Sequence, residues 1–180
     1  MYLMTASLLN SWSYLLRVGG EEAKDSFADT LLRKPSEPGE AAKTGFAFEA
    51  WAEENYIPTR GGCYQVKLAK PLGDFLIYGR LDCLKAGVVY DYKYTGHYEP
   101  GKFLHNAQTP IYLTLVPEAE RMVYVVTNSK NFSPIYTETY RRDEAPPLEP
   151  LLEEFRSWLK GNGLYGTYCE NWQAREARTG

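Results

Sequence analysis

The spacing of apolar and polar positions changes several times along the chain, and each change predicts an element. Met4 to Arg17 carries Leu8, Leu9, Trp12, Leu15 and Leu16 at helical intervals, with Thr5 or Ser7 as N-cap and Gly19-Gly20 as the stop. Residues 20–39 are polar and punctuated by Pro and Gly, which predicts a short helix and then a loop. Glu40 to Tyr56 predicts a second helix, with Phe48 and Trp51 packing inward and Ala42, Gly45, Glu49 and Ala52 on one stripe. The period then shortens to two. Cys63 to Ala69, Asp74 to Leu84 and Val88 to Tyr94 predict three successive strands, turned at Pro71-Leu72-Gly73 and, tightly, at Ala86-Gly87. Lys102 to Val116 predicts a helix leading back across the sheet, and the β-branched run Arg121 to Thr127 a buried strand. Ser133 to Arg141 reads as an edge strand behind Pro134, and Leu148 to Lys160 as an amphipathic helix stopped by Gly161 and Gly163. The polar tail from Glu170 predicts a frayed end.

The second and third strands carry the candidate chemistry. In the second, Phe75, Ile77, Leu81 and Cys83 fall on one face and Arg80 and Asp82 on the other. Folding the hairpin about Ala86-Gly87 opposes Leu81 to Tyr92, Cys83 to Tyr90 and Asp82 to Asp91. Like charges directly opposed, with Cβ atoms ~5 Å apart, destabilise a strand pair. A divalent cation between them reverses the sign of that interaction. Lys93 shares the face of Asp91 and brings an ammonium to the same place. Taken alone, Asp-x-Lys is also compatible with an ordinary solvated face in which Lys93 neutralises one acid.

Composition narrows the class. A chain of 180 residues with 44% hydrophobic and 24% charged content has the makings of one globular domain rather than a disordered or collagen-like polymer. The net charge of −3 does not advertise nucleic-acid binding, yet residues 56–102 hold seven Lys/Arg against four Asp/Glu. Three widely spaced cysteines, Cys63, Cys83 and Cys169, form no C-x-x-C pair, so free thiols in a reducing cytosol are expected. The N-terminus lacks a basic n-region and the chain a long apolar run, which predicts neither a signal peptide nor a membrane span. His97 and His105 have no second histidine at helical spacing and read as incidental.

The motifs GFAFE at 45–49, GRLD at 79–82, DYK at 91–93 and QTPIY at 108–112 follow one another in the order helix, three strands, helix, strand. In this the chain resembles the PD-(D/E)XK nuclease superfamily over residues 40–127, and within it the RecB-like exonucleases of bacteria and phages. The resemblance implies an α/β fold with a restriction-endonuclease-like αβββαβ core, its mixed central sheet flanked by helices. It implies one nuclease domain over 1–180: a helical lead-in at 1–39, the catalytic core at 40–127, and a strand, helix and tail at 128–180. It implies DNA hydrolysis, exonucleolytic by the family's habit, in recombination or repair in the cytoplasm of a bacterial or phage-infected cell. One or two Mg²⁺ or Mn²⁺ ions would be held by Glu49, Asp82, Asp91 and the Tyr92 carbonyl. Glu49, Asp82, Asp91 and Lys93 would be catalytic; Gln108, Tyr112 and Arg80, with Lys67, would contact the strand. A homo-oligomer or a recombination protein is the partner to expect besides DNA, and no membrane.

The chain departs from the family in places. Its opening TASLLNSWSYLL looks like the family's first helix without the Cys-Pro that often follows. Iron–sulfur relatives use four cysteines; only Cys169 lies near this C-terminus, so no cluster is expected. Pro110 falls inside Gln-x-x-x-Tyr. As the first helical residue it would leave Gln108 outside the helix and off the face of Tyr112; in a helix begun near Lys102 it would be a kink. The rival function is a non-catalytic nucleic-acid-binding module that kept the fold, and a hydrolase of some other phosphoester is the third.

Overall fold

The computed structural model describes residues 1–174. Its elements in chain order are β1 (Tyr2–Thr5), α1 (Ala6–Val18), α2 (Gly20–Leu31), α3 (Glu40–Asn55), β2 (Cys63–Leu72), β3 (Phe75–Lys85), β4 (Val88–Tyr94), α4 (Gln108–Leu115), β5 (Arg121–Thr127), β6 (Ile135–Arg141), α5 (Leu148–Gly161) and α6 (Tyr165–Asn171). The αβββαβ order expected for the core is the run from α3 to β5. All six strands join one mixed sheet, β1-β3-β4-β5-β6, with β2 added on β3.

Strand β3 is the pivot. One of its edges is taken by β2 in antiparallel register from Leu72↔Phe75 to Cys63↔Leu84. The opposite edge is shared. Parallel β1 covers Phe75 to Tyr78, and antiparallel β4 covers only Cys83 to Lys85. Gly79 to Asp82 are left between them without a ladder partner on that side, and β4 runs on beside β5 instead, through Tyr94↔Thr127. The β3–β4 turn has Ala86 at φ 48° and Gly87 at φ 73°. Positive φ at both central residues is the primed hairpin turn whose twist matches that of the strands.

The central strands β3, β4 and β5 are buried on both faces. Trp12, Tyr124, Phe155 and Tyr168 sit in the larger core, which α1, α2, α4, α5 and α6 build on one face. Helix α3 covers the other, packing Phe48 and Ala52 on Cys83, Val88, Tyr92, Val123 and Val125. Strand β5 feeds both, with Met122, Tyr124 and Val126 to one side and Val123 and Val125 to the other. That is why its sequence reads as an unbroken apolar run.

Several expectations are corrected. The helix expected over Lys102–Val116 begins only at Gln108; a succession of turns precedes it, with Gly101 at φ 85°. Its first amides are held by two asparagines, Asn10 Oδ1 accepting from Ala107 N at 2.8 Å and Asn106 Oδ1 from Gln108 N at 2.9 Å. Pro110 is therefore the third helical residue, within the first turn, where a missing N–H leaves no bond unmade. It neither opens nor kinks the helix. Strand β1 was not anticipated, because four residues are too few to show a period. The tail is not frayed from Glu170. Trp172 is buried and donates from Nε1 to Leu31 O at 2.7 Å, and Gln173 bridges to Tyr2. Residues 175–180 of that tail lie outside the described part.

The faces of β3 also differ from the expected alternation. Leu81 lies with Phe75 and Ile77 in the larger core, but Cys83 lies in the smaller one, so Leu81 does not meet Tyr92. Alternation breaks at Asp82, and Leu81, Asp82 and Cys83 are all buried. On β2 the same switch separates Tyr64 from Val66, and Gln65 between them has φ 54°. A left-handed residue opposite Asp82 turns both strands over together. Among the described residues no helix is long and apolar enough to cross a membrane.

Candidate active site

The unpaired stretch of β3 opens onto a cleft of about 720 Å³. Glu49 enters it from α3, Arg80 and Asp82 from β3, Asp91 and Lys93 from β4, and Gln108 and Tyr112 from α4. The sheet's own topology brings them together. Because β4 leaves β3 after the Cys83↔Tyr90 pair, the next residues, Asp82 and Asp91, face a gap rather than a ladder.

Each acid is held by a specific donor. Asp82 Oδ2 accepts the Tyr92 amide at 2.8 Å, replacing the ladder bond that the splayed strands cannot make. In an extended strand a residue's N–H and C=O point to the same edge, so the Tyr92 carbonyl is also directed towards β3. The Tyr92 ring goes the other way, into the smaller core. Asp91 Oδ1 accepts Gln108 Nε2 at 2.7 Å, and the Lys93 ammonium stands 2.5 Å from Oδ2 as an ion pair. Gln108 also donates to the Tyr112 hydroxyl at 3.2 Å, and that hydroxyl donates to Arg80 O at 3.1 Å. Gln108 and Tyr112 thus share a helix face. Tyr112 fills the gap in β3 by lying on Gly79, where a Cβ would come within 2.8 Å of Tyr112 Cε1 and Leu115 Cδ1. Glycine is required there by close approach.

The electrostatics are those of crowded acids. Asp82 is 6% exposed and Asp91 1%. Burial pushes the Asp82 carboxyl up to about 8, with repulsion from Asp91 and Glu49 adding to it and Lys93 and the Tyr92 amide opposing. Burial also raises Asp91, against the pull of Lys93 and Gln108. Glu49, half-buried, is raised mainly by desolvation, with Arg80 drawing it back. Burial keeps the Tyr112 phenol protonated at any ordinary pH. Two buried carboxyls whose ionised forms repel each other are a hard-oxygen donor set suited to a divalent cation. Among the described residues no group of three Asp, Glu, His or Cys side chains is gathered closely enough to enclose an ion. The residues present therefore fit a cation held by two carboxylates, with the remaining positions left to backbone or water.

The far wall of the cleft was not anticipated. It is formed by Thr5, Ser7, Asn10 and Arg33, with Trp172 below the Arg33 guanidinium at 4.9 Å. Asn106, whose Oδ1 accepts from the Gln108 amide, also lines the cleft. Lys67, also named from the sequence, lies opposite Arg80 in the β2–β3 ladder.

No protein-family model matches the chain, and no curated protein matches it in sequence. Solved structures do match in three dimensions. The alkaline exonuclease LHK-Exo of Laribacter hongkongensis superposes with a TM-score of 0.55 at 16% identity, over 93% of this chain and 88% of that one. The two chains share a fold. The complex of LHK-Exo with dAMP gives 0.50 at 14% identity, over 93% and 86%. The protein SSO0001 gives 0.53 at 14% identity, over 90% and 77%. At these identities the likeness is of fold, and this chain shares with those proteins the mixed sheet flanked by helices.

Proposed function

We propose that this protein is a metal-dependent deoxyribonuclease of the RecB-like kind that hydrolyses DNA from an end, in cytoplasmic recombination or repair. The observation that carries the reading is the buried Asp82–Asp91 pair, set in the gap between splayed strands with Lys93 and Gln108 on Asp91. A module that only binds a polyanion gains nothing from two buried acids facing its ligand. Support for a DNA substrate comes from the fold shared with an alkaline exonuclease, and dAMP bound to that enzyme favours a deoxynucleotide product.

Asp82 and Asp91 would hold Mg²⁺ or Mn²⁺, with the Tyr92 carbonyl as a further oxygen donor and Glu49, on the same cleft, completing the site directly or through water. When bound, such an ion supplies charge neutralisation at the phosphate and a water acidic enough to attack near neutral pH. The chain's own residues do the rest. Lys93 is 26% exposed on its side chain, so its ammonium can leave Asp91 to meet charge developing on the phosphate. Gln108 fixes the Asp91 carboxylate from the side away from Lys93, and Tyr112 fixes Gln108. Arg80, with Lys67 opposite it, supplies the positive charge that draws a phosphodiester backbone into the cleft.

The test is cleavage of end-labelled DNA in Mg²⁺ and in Mn²⁺ by the wild type and by Asp82→Asn, Asp91→Asn and Lys93→Ala. Each variant is expected to lose at least about a thousandfold in rate while remaining folded. Wild-type binding without turnover would favour the non-catalytic module, and undiminished cleavage by all three variants would remove the site assignment.

A further inference from the structure

Helix α3 carries two phenylalanines with opposite fates. Phe48 is fully buried and meets Trp51, Tyr92 and Phe132. Phe46 is 54% exposed and makes no aromatic pair among the described residues. Residues two apart on a helix point roughly 200° away from each other, so only one of the two can serve the core. An apolar ring left in water is a cost unless it has a ligand to cover it.

Phe46 is not isolated on a convex surface. It lines a shallow groove of about 290 Å³ between α3 and the end of β4, together with Ala42, Gly45, Tyr94 and two residues of the cleft, Glu49 and Lys93. Glu49 and Lys93 border both spaces, so a strand whose phosphate reaches Lys93 from the cleft has its neighbouring nucleotide at the mouth of this groove. A Cβ at Gly45 would meet nothing within 4 Å, which leaves the space beside Phe46 open. The ring is flat and apolar, and its rim carries the Lys93 cation. That combination suits a nucleobase attached to a phosphodiester.

We propose that the groove between α3 and the end of β4 is a base-stacking subsite, in which the nucleobase next to the scissile phosphate lies on Phe46. Resting on the nuclease reading, this adds a strand-binding contact to those of Gln108, Tyr112, Arg80 and Lys67. Stacking is tolerant of base identity because every base has a π-face. The subsite therefore serves affinity and register rather than sequence choice.

The experiment uses oligonucleotides carrying 2-aminopurine at successive positions from the end, titrated against wild type, Phe46→Ala, Phe46→Trp and Gly45→Leu. Fluorescence is read in EDTA and, by stopped flow, in Mg²⁺, where kcat and KM are also measured. The expected result is quenching at one position with wild type and Phe46→Trp. Phe46→Ala should abolish it, with about tenfold weaker binding and a KM effect larger than the kcat effect. Gly45→Leu improves helix propensity while filling the groove, so it should weaken binding similarly without losing stability. Unchanged quenching and KM in Phe46→Ala, with wild-type cleavage intact, would overturn the stacking site alone. Quenching on Phe46 without any wild-type cleavage would retain the subsite and overturn the catalytic reading. Neither cleavage nor quenching by wild type would overturn both.

Discussion

The two ends of the β3–β4 hairpin are built on opposite terms. At the turn, Cys83, Leu84 and Lys85 pair with Tyr90, Val89 and Val88 in an unbroken ladder, and the side chains between them are largely apolar. At the open end the ladder stops, and Asp82 and Asp91 stand where the next pair would be. The turn end is what any stable hairpin does. The open end forgoes backbone pairing, buries two repelling acids and needs a tyrosine from α4 to fill the gap beside Gly79. Stability and chemistry are thus separated by one residue pair, and substitutions on the two sides of that line should behave differently.

The pH response sharpens this contrast most. Burial pushes the Asp82 carboxyl up to about 8 in the folded chain, above the value of about 3.9 expected when unfolded. The folded state therefore keeps a proton that the unfolded state loses. Stability in chelator should fall as pH rises from about 4 to about 8 and level off above. Asp82→Asn should flatten the decline and raise the melting temperature at pH 8, as a pH series of thermal melts would reveal. A wild-type melting temperature that climbs over the same range would contradict the buried-acid account.

Gly79→Ala tests the filling of the gap. Its methyl would press on Tyr112 and Leu115, and the overpacking should cost about 1–3 kcal/mol in denaturant unfolding. Because Tyr112 braces Gln108 on Asp91, cleavage should fall with it. The smallest effect belongs to the turn end. Ala86 holds a left-handed conformation that asparagine tolerates better, so Ala86→Asn should add about 1 kcal/mol of stability and leave any cleavage rate unchanged.

How much of this could be read from the sequence follows the same division. Strand β4, β5, the turn at Ala86-Gly87 and the order of the core elements were legible, because period and turn chemistry are local. Glu49, Arg80, Asp82, Asp91, Lys93, Gln108 and Tyr112 could be named from four motifs in one order, whereas Thr5, Ser7, Asn10 and Arg33, which line the same cleft, could not. What escaped is non-local. The face switch at Asp82 depends on Gln65 adopting positive φ on a neighbouring strand, and glutamine is no signal for that. The late start of α4 depends on Asn10, far away in the chain, accepting from the Ala107 amide. Strand β1 exists because β3 offers an edge, and the order of the C-terminal segment because Trp172 finds Leu31.

The decisive measurement is calorimetric titration of Mn²⁺ into the protein at pH 8, without DNA, for wild type and for Asp82→Asn. Wild type should bind Mn²⁺ saturably, and Asp82→Asn should lose that binding. Equal affinity in the two proteins, or no binding by wild type, would contradict a cation site at the two acids.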